Sequence, residues 1–218
     1  MCGRFALYSP RSVIARRYLG IEAPEGEDRP RYNIAPGTPI AIVTTDANGK
    51  PVIRESMWGF HPGWADEKAP TPINAKAETV ATSRYFRNAF AHRRGLIPAD
   101  GWYEWRLEQG RKEPYFIHRR DSQPLMFAGI WEPGREQDQS TAAIITQPAQ
   151  PLLASVHPRM PAVLDPESYE DWLDPELTNR EIIRAVIRPL PQELLEAYRV
   201  STAVNRSSVD DPRLIEPI

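Results

Sequence analysis

Proline is the residue that most restricts how this chain can fold, because 23 of the 218 residues are proline. Proline fixes the φ angle and carries no backbone N–H, so it interrupts helices and the interior of sheets. The chain is long enough to bury a substantial core, and its hydrophobic content of 41% and charged content of 26% are ordinary for a globular protein. The sequence therefore predicts short elements joined by fixed turns, not a helical bundle.

Short apolar runs bounded by turn residues predict the strands. They are expected at residues 5–7, 40–44, 52–58, 95–100, 101–105, 114–117, 125–131, 141–146, 162–164 and 195–200. Turns are expected at residues 31–37, at the hairpin 46–49 and at the charged stretch 106–112. Helices are expected from Pro10 to Gly20 with Ser9 as N-cap, at 79–92, at 148–156, after Asp165-Pro166 and at 178–187.

The chain contains one cysteine, Cys2, directly after Met1. A small second residue permits removal of the initiator methionine, so we expect the mature chain to begin at Cys2. A single cysteine excludes an internal disulfide and is typical of a reducing compartment. Because no apolar segment is long enough for a signal peptide or a membrane span, we expect a cytoplasmic protein that does not associate with membranes.

An N-terminal cysteine carries a free α-amine and a thiol on adjacent carbons. In unperturbed peptides the amine titrates at about pH 8 and the thiol at about pH 8.5, so each is partly reactive at neutral pH. Such a pair is suited to carbonyl compounds, because the amine forms an imine and the thiol then closes a five-membered thiazolidine. The alternative is that Cys2 is a small hydrophobic residue packed near the chain start.

Two further residues are candidates for proton transfer. Glu104 lies among Trp102, Tyr103 and Trp105, and a carboxyl group surrounded by rings should have a raised pKa. The alternative is a glutamate that points to solvent between inward-facing rings. The second candidate is His157, which lies in a turn between prolines and is followed two residues later by Arg159. A histidine in such a turn is either an ordinary turn residue or a neutral acid/base.

Basic residues are concentrated between positions 76 and 94. This stretch contains Lys76, Arg84, Arg87, Arg93 and Arg94 and the single acid Glu78. On the expected helix, Thr79, Ser83, Phe86 and Phe90 share one face. The pattern indicates either a solvated basic face or a phosphate-binding surface, and the clustering of acids elsewhere favours the phosphate-binding surface. The two tryptophans of the glycine-rich stretch 58–64 are either core lids or platforms for stacking bases.

Six motifs occur in the order typical of one family. They are Met1-Cys2-Gly3-Arg4-Phe5, residues 31–37 (RYNIAPG), Trp58-Gly59, residues 73–79 (INAKAET), residues 101–105 (GWYEW) and residues 157–161 (HPRMP). Together they resemble the SRAP (SOS-response-associated peptidase) family over essentially the whole chain. The resemblance implies a single α/β (α+β) domain, residues 2–218, with a β-barrel-like mixed sheet core flanked by helices. It also implies a positively charged DNA groove and covalent capture of abasic sites in single-stranded DNA.

The resemblance assigns a role to each matching residue. Cys2 would supply the amine and the thiol, Glu104 would move protons, His157 would open the sugar ring, and Asn74 would hold the terminal amine or the lesion. Arg4, Lys76 and Arg84 would bind flanking phosphates, and Arg159 would also bind DNA. Asn33, Pro36 and Trp64 would line the groove, with Thr79 and Ser83 as weaker candidates for the same surface. No metal or organic cofactor is implied, and a monomer suffices for this chemistry.

Two positions depart from the family pattern. Lys76 stands where the Asn-Ala-Arg motif has arginine, which predicts slightly weaker and more salt-sensitive DNA binding. Ala65 follows Trp64 where some members have a second aromatic residue. Two other functions remain open from the sequence. One is a thiol peptidase, perhaps self-processing, with Cys2 as nucleophile, and the other is a non-covalent reader of modified cytosine or single-stranded DNA.

Overall fold

A computed structural model describes residues 2–22, 29–134 and 139–218. The strands are β1 Phe5–Leu7, β2 Arg31–Ile34, β3 Pro39–Thr45, β4 Pro51–Trp58, β5 Asn74–Lys76, β6 Arg94–Ala99, β7 Gly101–Glu108, β8 Arg111–Arg119, β9 Leu125–Glu132, β10 Thr141–Pro148, β11 Arg159–Pro161 and β12 Leu195–Arg199. The α-helices are α1 Arg11–Ile14, α2 Ala77–Val80, α3 Arg87–His92, α4 Pro151–Ala154, α5 Tyr169–Leu173 and α6 Arg180–Val186.

The strands form two sheets. In the larger sheet the order is β11-β10-β4-β3-β6-β9, and β5 pairs with β10. Because β9 also pairs with β10, this sheet closes into a ring, and its β10–β4 and β10–β5 pairs are parallel while the others are antiparallel. The second sheet is antiparallel with the order β12-β8-β7-β1-β2. The expected mixed core flanked by helices is confirmed.

The N-terminal strand joins the two sheets through its side chains. Phe5 is fully buried, with its ring edge-on to Trp58 at 5.2 Å and to Phe127 at 6.0 Å between ring centroids. Trp102 packs edge-on against the same Phe127 ring at 5.9 Å. Aromatic contacts of this kind stabilise the packing beyond the burial of area alone. The start of the chain is therefore part of the core.

The expected helix at 79–92 is wrong, because it is interrupted between α2 and α3. In the interruption, the Thr82 hydroxyl donates to the carbonyl of Thr79, and the Ser83 hydroxyl accepts from the Tyr85 backbone N–H. Short hydroxyl side chains compete in this way with helical hydrogen bonds. Thr79, Ser83, Phe86 and Phe90 consequently do not lie on one continuous helix face.

Other boundaries also differ from expectation. Ser9 is not a helix cap, since its hydroxyl donates to Asp100 at 2.6 Å, and the helix at 148–156 is reduced to α4. The charged stretch 106–112 belongs mostly to β7 and β8, which are joined at Gln109-Gly110 with φ values of 47° and 79°. Positive φ at both positions is the geometry of a two-residue hairpin. Segments 31–34 and 159–161 are strands and not turns, whereas 162–164 forms only isolated bridges.

Gly101 on β7 has no room for a side chain against β8. A Cβ atom at this position would lie 2.6 Å from the carbonyl oxygen of Ile117 and would also overlap the ring of Phe116. We expect Gly101→Ala to lower the free energy of unfolding by about 1–3 kcal/mol, the usual cost of overpacking. Chemical denaturation would measure it, with Gly63→Ala as control because the nearest atom to its added Cβ is 3.4 Å away. Equal stability of the two variants would contradict this assignment.

Candidate active site at the N-terminal cysteine

Strand β1 places the start of the chain next to β7. Phe5 lies opposite Trp102, and the backbone N–H of Tyr103 donates to the carbonyl of Arg4 at 3.0 Å. Continuing this antiparallel register by two residues places Gly3 opposite Glu104. The residue at the N-terminal end of the described chain, Cys2, is thus held beside the Glu104 carboxyl group.

Cys2 is fully buried in the hydrophobic cluster that contains Phe5 and Trp102. Its burial, with a smaller contribution from the negative charge of Glu104, raises the pKa of the thiol well above its ordinary range. The thiol is therefore protonated at neutral pH and becomes a thiolate only when a base removes its proton.

Glu104 is 3% exposed, so the solvent-facing alternative is wrong. Burial raises the pKa of its carboxyl group from its ordinary value of 4.5 to about 7. The pKa shift expected from the neighbouring rings is confirmed. A group that titrates near neutral pH can both accept and return a proton, which suits it to acid–base chemistry.

His157 lies in the turn after α4, where its Nδ1 atom is 3.8 Å from Oε2 of Glu104. Nδ1 also lies 3.0 Å from the backbone nitrogen and 2.9 Å from the carbonyl oxygen of Arg159, so this backbone orients the ring. Partial burial lowers the pKa of His157 below 6.5, and the imidazole is neutral at neutral pH. Glu104 and His157 also line an open cleft of about 600 Å³.

Asn74 fixes the position of Cys2. It lies on β5, whose place is set by parallel pairing with β10 at Ile144. Its Nδ2 atom donates to the carbonyl oxygen of Cys2 at 2.8 Å. Its Oδ1 atom is buried and has no hydrogen-bond partner in the described part of the chain. An unsatisfied buried acceptor is costly, so this oxygen is available for a donor that enters the site.

Several of the residues predicted to bind DNA lie on the surface. Trp64 is 58% exposed, and its ring contacts the Arg84 guanidinium at 5.5 Å from the ring centroid and the edge of the Tyr85 ring at 5.7 Å. Also exposed are Pro36, Lys76 and Thr79. This region offers an aromatic face next to positive charge.

The other residues predicted to bind DNA make intramolecular contacts. Asn33 is 4% exposed and donates to the carbonyls of residues 204, 206 and 209, while Arg4 donates to Asn33 Oδ1 at 2.7 Å and to the Val204 carbonyl at 2.9 Å. Arg159 forms a two-point ion pair with Glu78 and donates to the Thr146 carbonyl. Ser83 is partly buried at the helix interruption. Asn33 and Arg4 therefore anchor the C-terminal segment.

The basic face is smaller than the sequence predicts. Arg93 forms an ion pair with Glu132 at 2.7 Å. Arg94 is 6% exposed and donates to four backbone carbonyls, those of Phe90, Ala91, Trp172 and Asp174. The exposed members are Lys76, Arg84 and Arg87. Counting basic residues could not reveal that two of the five hold the fold together.

Two residues at the rim of the site are not indicated by the sequence. Lys112 and Asn205 line the cleft with Glu104, Trp105 and His157, and Asn205 Oδ1 accepts from the Trp105 indole N–H at 2.8 Å. No spacing signal links positions this far apart in the chain. A larger cleft of about 1270 Å³ lies among segments 17–19, 45–51 and 166–176 and contains none of the predicted site residues.

Neither a metal cluster nor a membrane span is found in the part of the chain that the structure describes. Residues 2–22, 29–134 and 139–218 contain no group of three or more histidine, cysteine, aspartate or glutamate residues placed to hold a metal ion. None of the helices in these ranges is long and apolar enough to cross a membrane.

The ring-like sheet, together with a site at the N-terminal strand of the second sheet, defines a class of proteins whose second residue forms part of the candidate active site. The chain belongs to the SRAP family, since the sequence model described as SOS response associated peptidase matches residues 1–207.

Similar proteins share both the sequence and the fold. The chain is 36% identical to the abasic site processing protein YoqW of Bacillus subtilis over 99% of both chains. It is 35% identical to YedK of Escherichia coli, also named an abasic site processing protein, over the full length of both. A crystal structure of a Bacteroides thetaiotaomicron protein superposes with a TM-score of 0.85 at 26% identity, with both chains fully covered. A phage-related protein of Bordetella bronchiseptica gives 0.75 at 32% identity over 91% of this chain and 94% of that one.

Proposed function

We propose that this protein captures abasic sites in single-stranded DNA covalently, through the α-amine and thiol of an N-terminal Cys2. The names of its relatives support abasic-site processing as the activity. The observation that carries the chemistry is Glu104, a buried carboxyl group with a pKa of about 7 beside the start of the chain. Removal of Met1 is a required step, because only then is the α-amine on Cys2.

The first step joins the amine to the lesion. In this proposal His157 donates a proton to the ring oxygen of the abasic deoxyribose. The Glu104 carboxylate takes the proton of the anomeric hydroxyl and returns a proton to His157, which leaves the sugar in its open aldehyde form. The α-amine of Cys2 attacks the aldehyde carbon, and loss of one water molecule leaves an imine. Glu104 takes the proton that the attacking nitrogen loses and returns one to the departing hydroxyl. The unpartnered Oδ1 of Asn74 accepts a hydrogen bond from the amine.

The second step closes the ring. The Cys2 sulfur adds to the imine carbon, which forms the carbon–sulfur bond of the thiazolidine while the thiol proton passes through Glu104 to the ring nitrogen. The high pKa of the buried thiol makes this relay necessary, since the thiolate is scarce at neutral pH. The fixed position of Cys2, held by Asn74, keeps the sulfur close to the imine.

The alternative of a thiol peptidase fits the site less well. A peptidase needs the thiolate as its first nucleophile, whereas burial raises the pKa of the Cys2 thiol. Capture of an aldehyde begins at the amine and needs the thiol only after the imine has formed. In the alternative of a non-covalent reader, the exposed Trp64 and Arg84 would hold the base that is recognised. We propose instead that these two residues bind the DNA flanking the lesion. We place the reaction in the cytoplasm and assign it to a monomer.

The test is intact-mass spectrometry of the protein after mixing with a single-stranded oligonucleotide that contains one abasic site. The mass of the protein alone first establishes that it begins at Cys2. We expect a denaturation-resistant adduct with the summed mass of protein and DNA less one water, formed without a reducing agent. The absence of an adduct from a protein that begins at Cys2 would overturn the proposal.

Lys76 offers a small test of the DNA surface. We expect Lys76→Arg to bind single-stranded DNA two- to three-fold more tightly at roughly 0.15 M salt, because guanidinium contacts phosphate through two hydrogen bonds. Fluorescence anisotropy over a range of salt concentrations would measure it. The control is Lys50→Arg, an exposed lysine at the end of the β3–β4 turn. Equal affinities for all three proteins would show that Lys76 is not part of the DNA-binding surface.

A further inference from the structure

A small buried cavity of about 10 Å³ lies beside Glu104. One wall is formed by the β7–β8 pair, because Trp102 and Glu104 are two residues apart on β7 and Ile117 lies opposite Trp102. The other wall is formed by the turn after α4 and by β11, through His157 and Arg159. A cavity of this size accommodates one water molecule and no larger ligand.

Trp102 brings an unsatisfied hydrogen-bond donor to this cavity. Its side chain is fully buried, and within residues 2–22, 29–134 and 139–218 its indole nitrogen Nε1 has no hydrogen-bond partner. Two other fully buried tryptophans are satisfied by the backbone. Trp58 donates to the carbonyl of Ile73 at 3.0 Å, and Trp172 donates to the carbonyl of Gly95 at 2.9 Å. Because a buried donor without an acceptor is costly, the indole of Trp102 requires an acceptor from outside the chain.

Arg159 brings a second donor. The two terminal nitrogens of its guanidinium bind the Glu78 carboxylate, and Nη2 also donates to the carbonyl of Thr146 at 2.8 Å. These contacts hold the guanidinium in place. The remaining nitrogen, Nε, is buried and has no hydrogen-bond partner in the part of the chain that the structure describes. Two buried N–H groups thus belong to residues that line a cavity with room for one water molecule.

We propose that this cavity binds one ordered water molecule, which accepts hydrogen bonds from Nε1 of Trp102 and Nε of Arg159 and donates one to the Glu104 carboxylate. Three hydrogen bonds are typical of a buried water molecule. Its role in capture rests on the function proposed above. The two N–H donors occupy both lone pairs of the water oxygen, so the water can only donate to Glu104. It therefore favours the ionised carboxylate, and Trp102 is a positioning residue for the base of the reaction.

Other charged and titratable groups face Glu104 from the elements packed against it. They are the α-amine and thiol of Cys2 before β1, Lys112 and Tyr115 on β8, His157 after α4 and Arg159 on β11. Trp102→Phe changes none of these groups and removes only the indole N–H and part of an apolar ring. A change in the titration of Glu104 in this variant consequently reports the loss of the hydrogen bond to the water.

The first experiment is a high-resolution crystal structure of the unmodified protein. We expect electron density for one water molecule within about 3.2 Å of Nε1 of Trp102, Nε of Arg159 and a carboxyl oxygen of Glu104. A cavity without such density would overturn the proposal. This test needs neither DNA nor a variant that folds.

The second experiment follows the carboxyl band of Glu104 by infrared difference spectroscopy as the pH is raised, with the band identified by its loss in Glu104→Gln. In the unmodified protein the midpoint should lie at a pH of about 7. We expect Trp102→Phe to raise the midpoint by about half a unit to one unit, because the carboxylate loses the support of the water. The capture rate of this variant should then be about three- to ten-fold lower at pH 6 and unchanged at pH 9.

Trp172→Phe is the matched control. Trp172 is equally buried and also loses an indole hydrogen bond, but it lies in the other large hydrophobic cluster, away from the site. Its midpoint and its pH profile of capture should equal those of the unmodified protein. Equal midpoints for all three proteins, or a lower midpoint for Trp102→Phe, would overturn the proposal.

The proposal can fail separately from the covalent function. If the unmodified protein begins at Cys2 and forms no adduct, covalent capture fails, while the crystal structure and the infrared midpoints still decide whether the water is bound and supports the carboxylate. If the adduct forms and the three midpoints agree, capture stands and the role of Trp102 falls.

Discussion

Cys2→Ala should reduce the yield of the denaturation-resistant adduct to background. Alanine at position 2 retains the α-amine, so an imine with the abasic aldehyde can still form. It lacks the sulfur that closes the thiazolidine, and an imine hydrolyses when the protein is denatured. The expected adduct with this variant appears only when borohydride reduces the imine to a stable amine. Intact-mass spectrometry with and without borohydride separates the two steps.

A second variant tests the amine in the same assay. A protein that keeps Met1 carries an amide at the nitrogen of Cys2, so without borohydride it should form no adduct that survives denaturation, although the thiol is present. The Cys2→Ala variant should also keep its affinity for single-stranded DNA, because the exposed Trp64 and Arg84 are unchanged. A stable adduct from Cys2→Ala without borohydride would contradict thiazolidine formation and would point to a different nucleophile.

The part of the fold that the sequence predicts best is the ring-like sheet. Strands β3 and β9 are expected at 40–44 and 125–131 and observed at Pro39–Thr45 and Leu125–Glu132. Long apolar runs of this kind are typical of strands that are buried on both faces. The continuous helix that the sequence predicts at 79–92 is interrupted in the structure, since hydroxyl side chains there bond to the local backbone. Strand β11 is not predicted, because its three residues form a strand only through antiparallel pairing with β10.

The sequence predicts the burial of Glu104 and does not predict the contacts that surround the candidate site. The aromatic neighbours of Glu104 indicate burial, and the pKa follows from burial. The contact between Trp105 and Asn205 joins positions 100 residues apart, and the partners of Asn33 lie in the C-terminal segment. Such contacts depend on how distant segments pack, and a pattern within one segment carries no signal for them.

Glu104→Gln should lower the rate of adduct formation on the order of 100-fold, the usual contribution of a positioned acid–base group. Glutamine preserves the shape of the side chain and cannot accept a proton. In the unmodified protein the rate should rise with pH through about 7, as the Glu104 carboxylate forms. The variant should lose this inflection and keep only the rise that follows titration of the α-amine at higher pH. Quenched time courses from pH 5 to 9 would measure both.

The same substitution should stabilise the fold at alkaline pH. The pKa of Glu104 is about 7 in the folded protein against an ordinary 4.5, so the stability of the unmodified protein is fully present below pH 4.5 and falls as the pH rises through 7. Glutamine stays neutral and avoids this loss. We therefore expect the free energy of unfolding of the variant to exceed that of the unmodified protein by roughly 3 kcal/mol at pH 8 and to equal it below pH 4.5. Urea unfolding at the two pH values measures it, with Glu108→Gln as the control on the same strand. A variant that loses activity and is also less stable at pH 8 would show that Glu104 supports the fold, and would remove it from the proposed proton transfer.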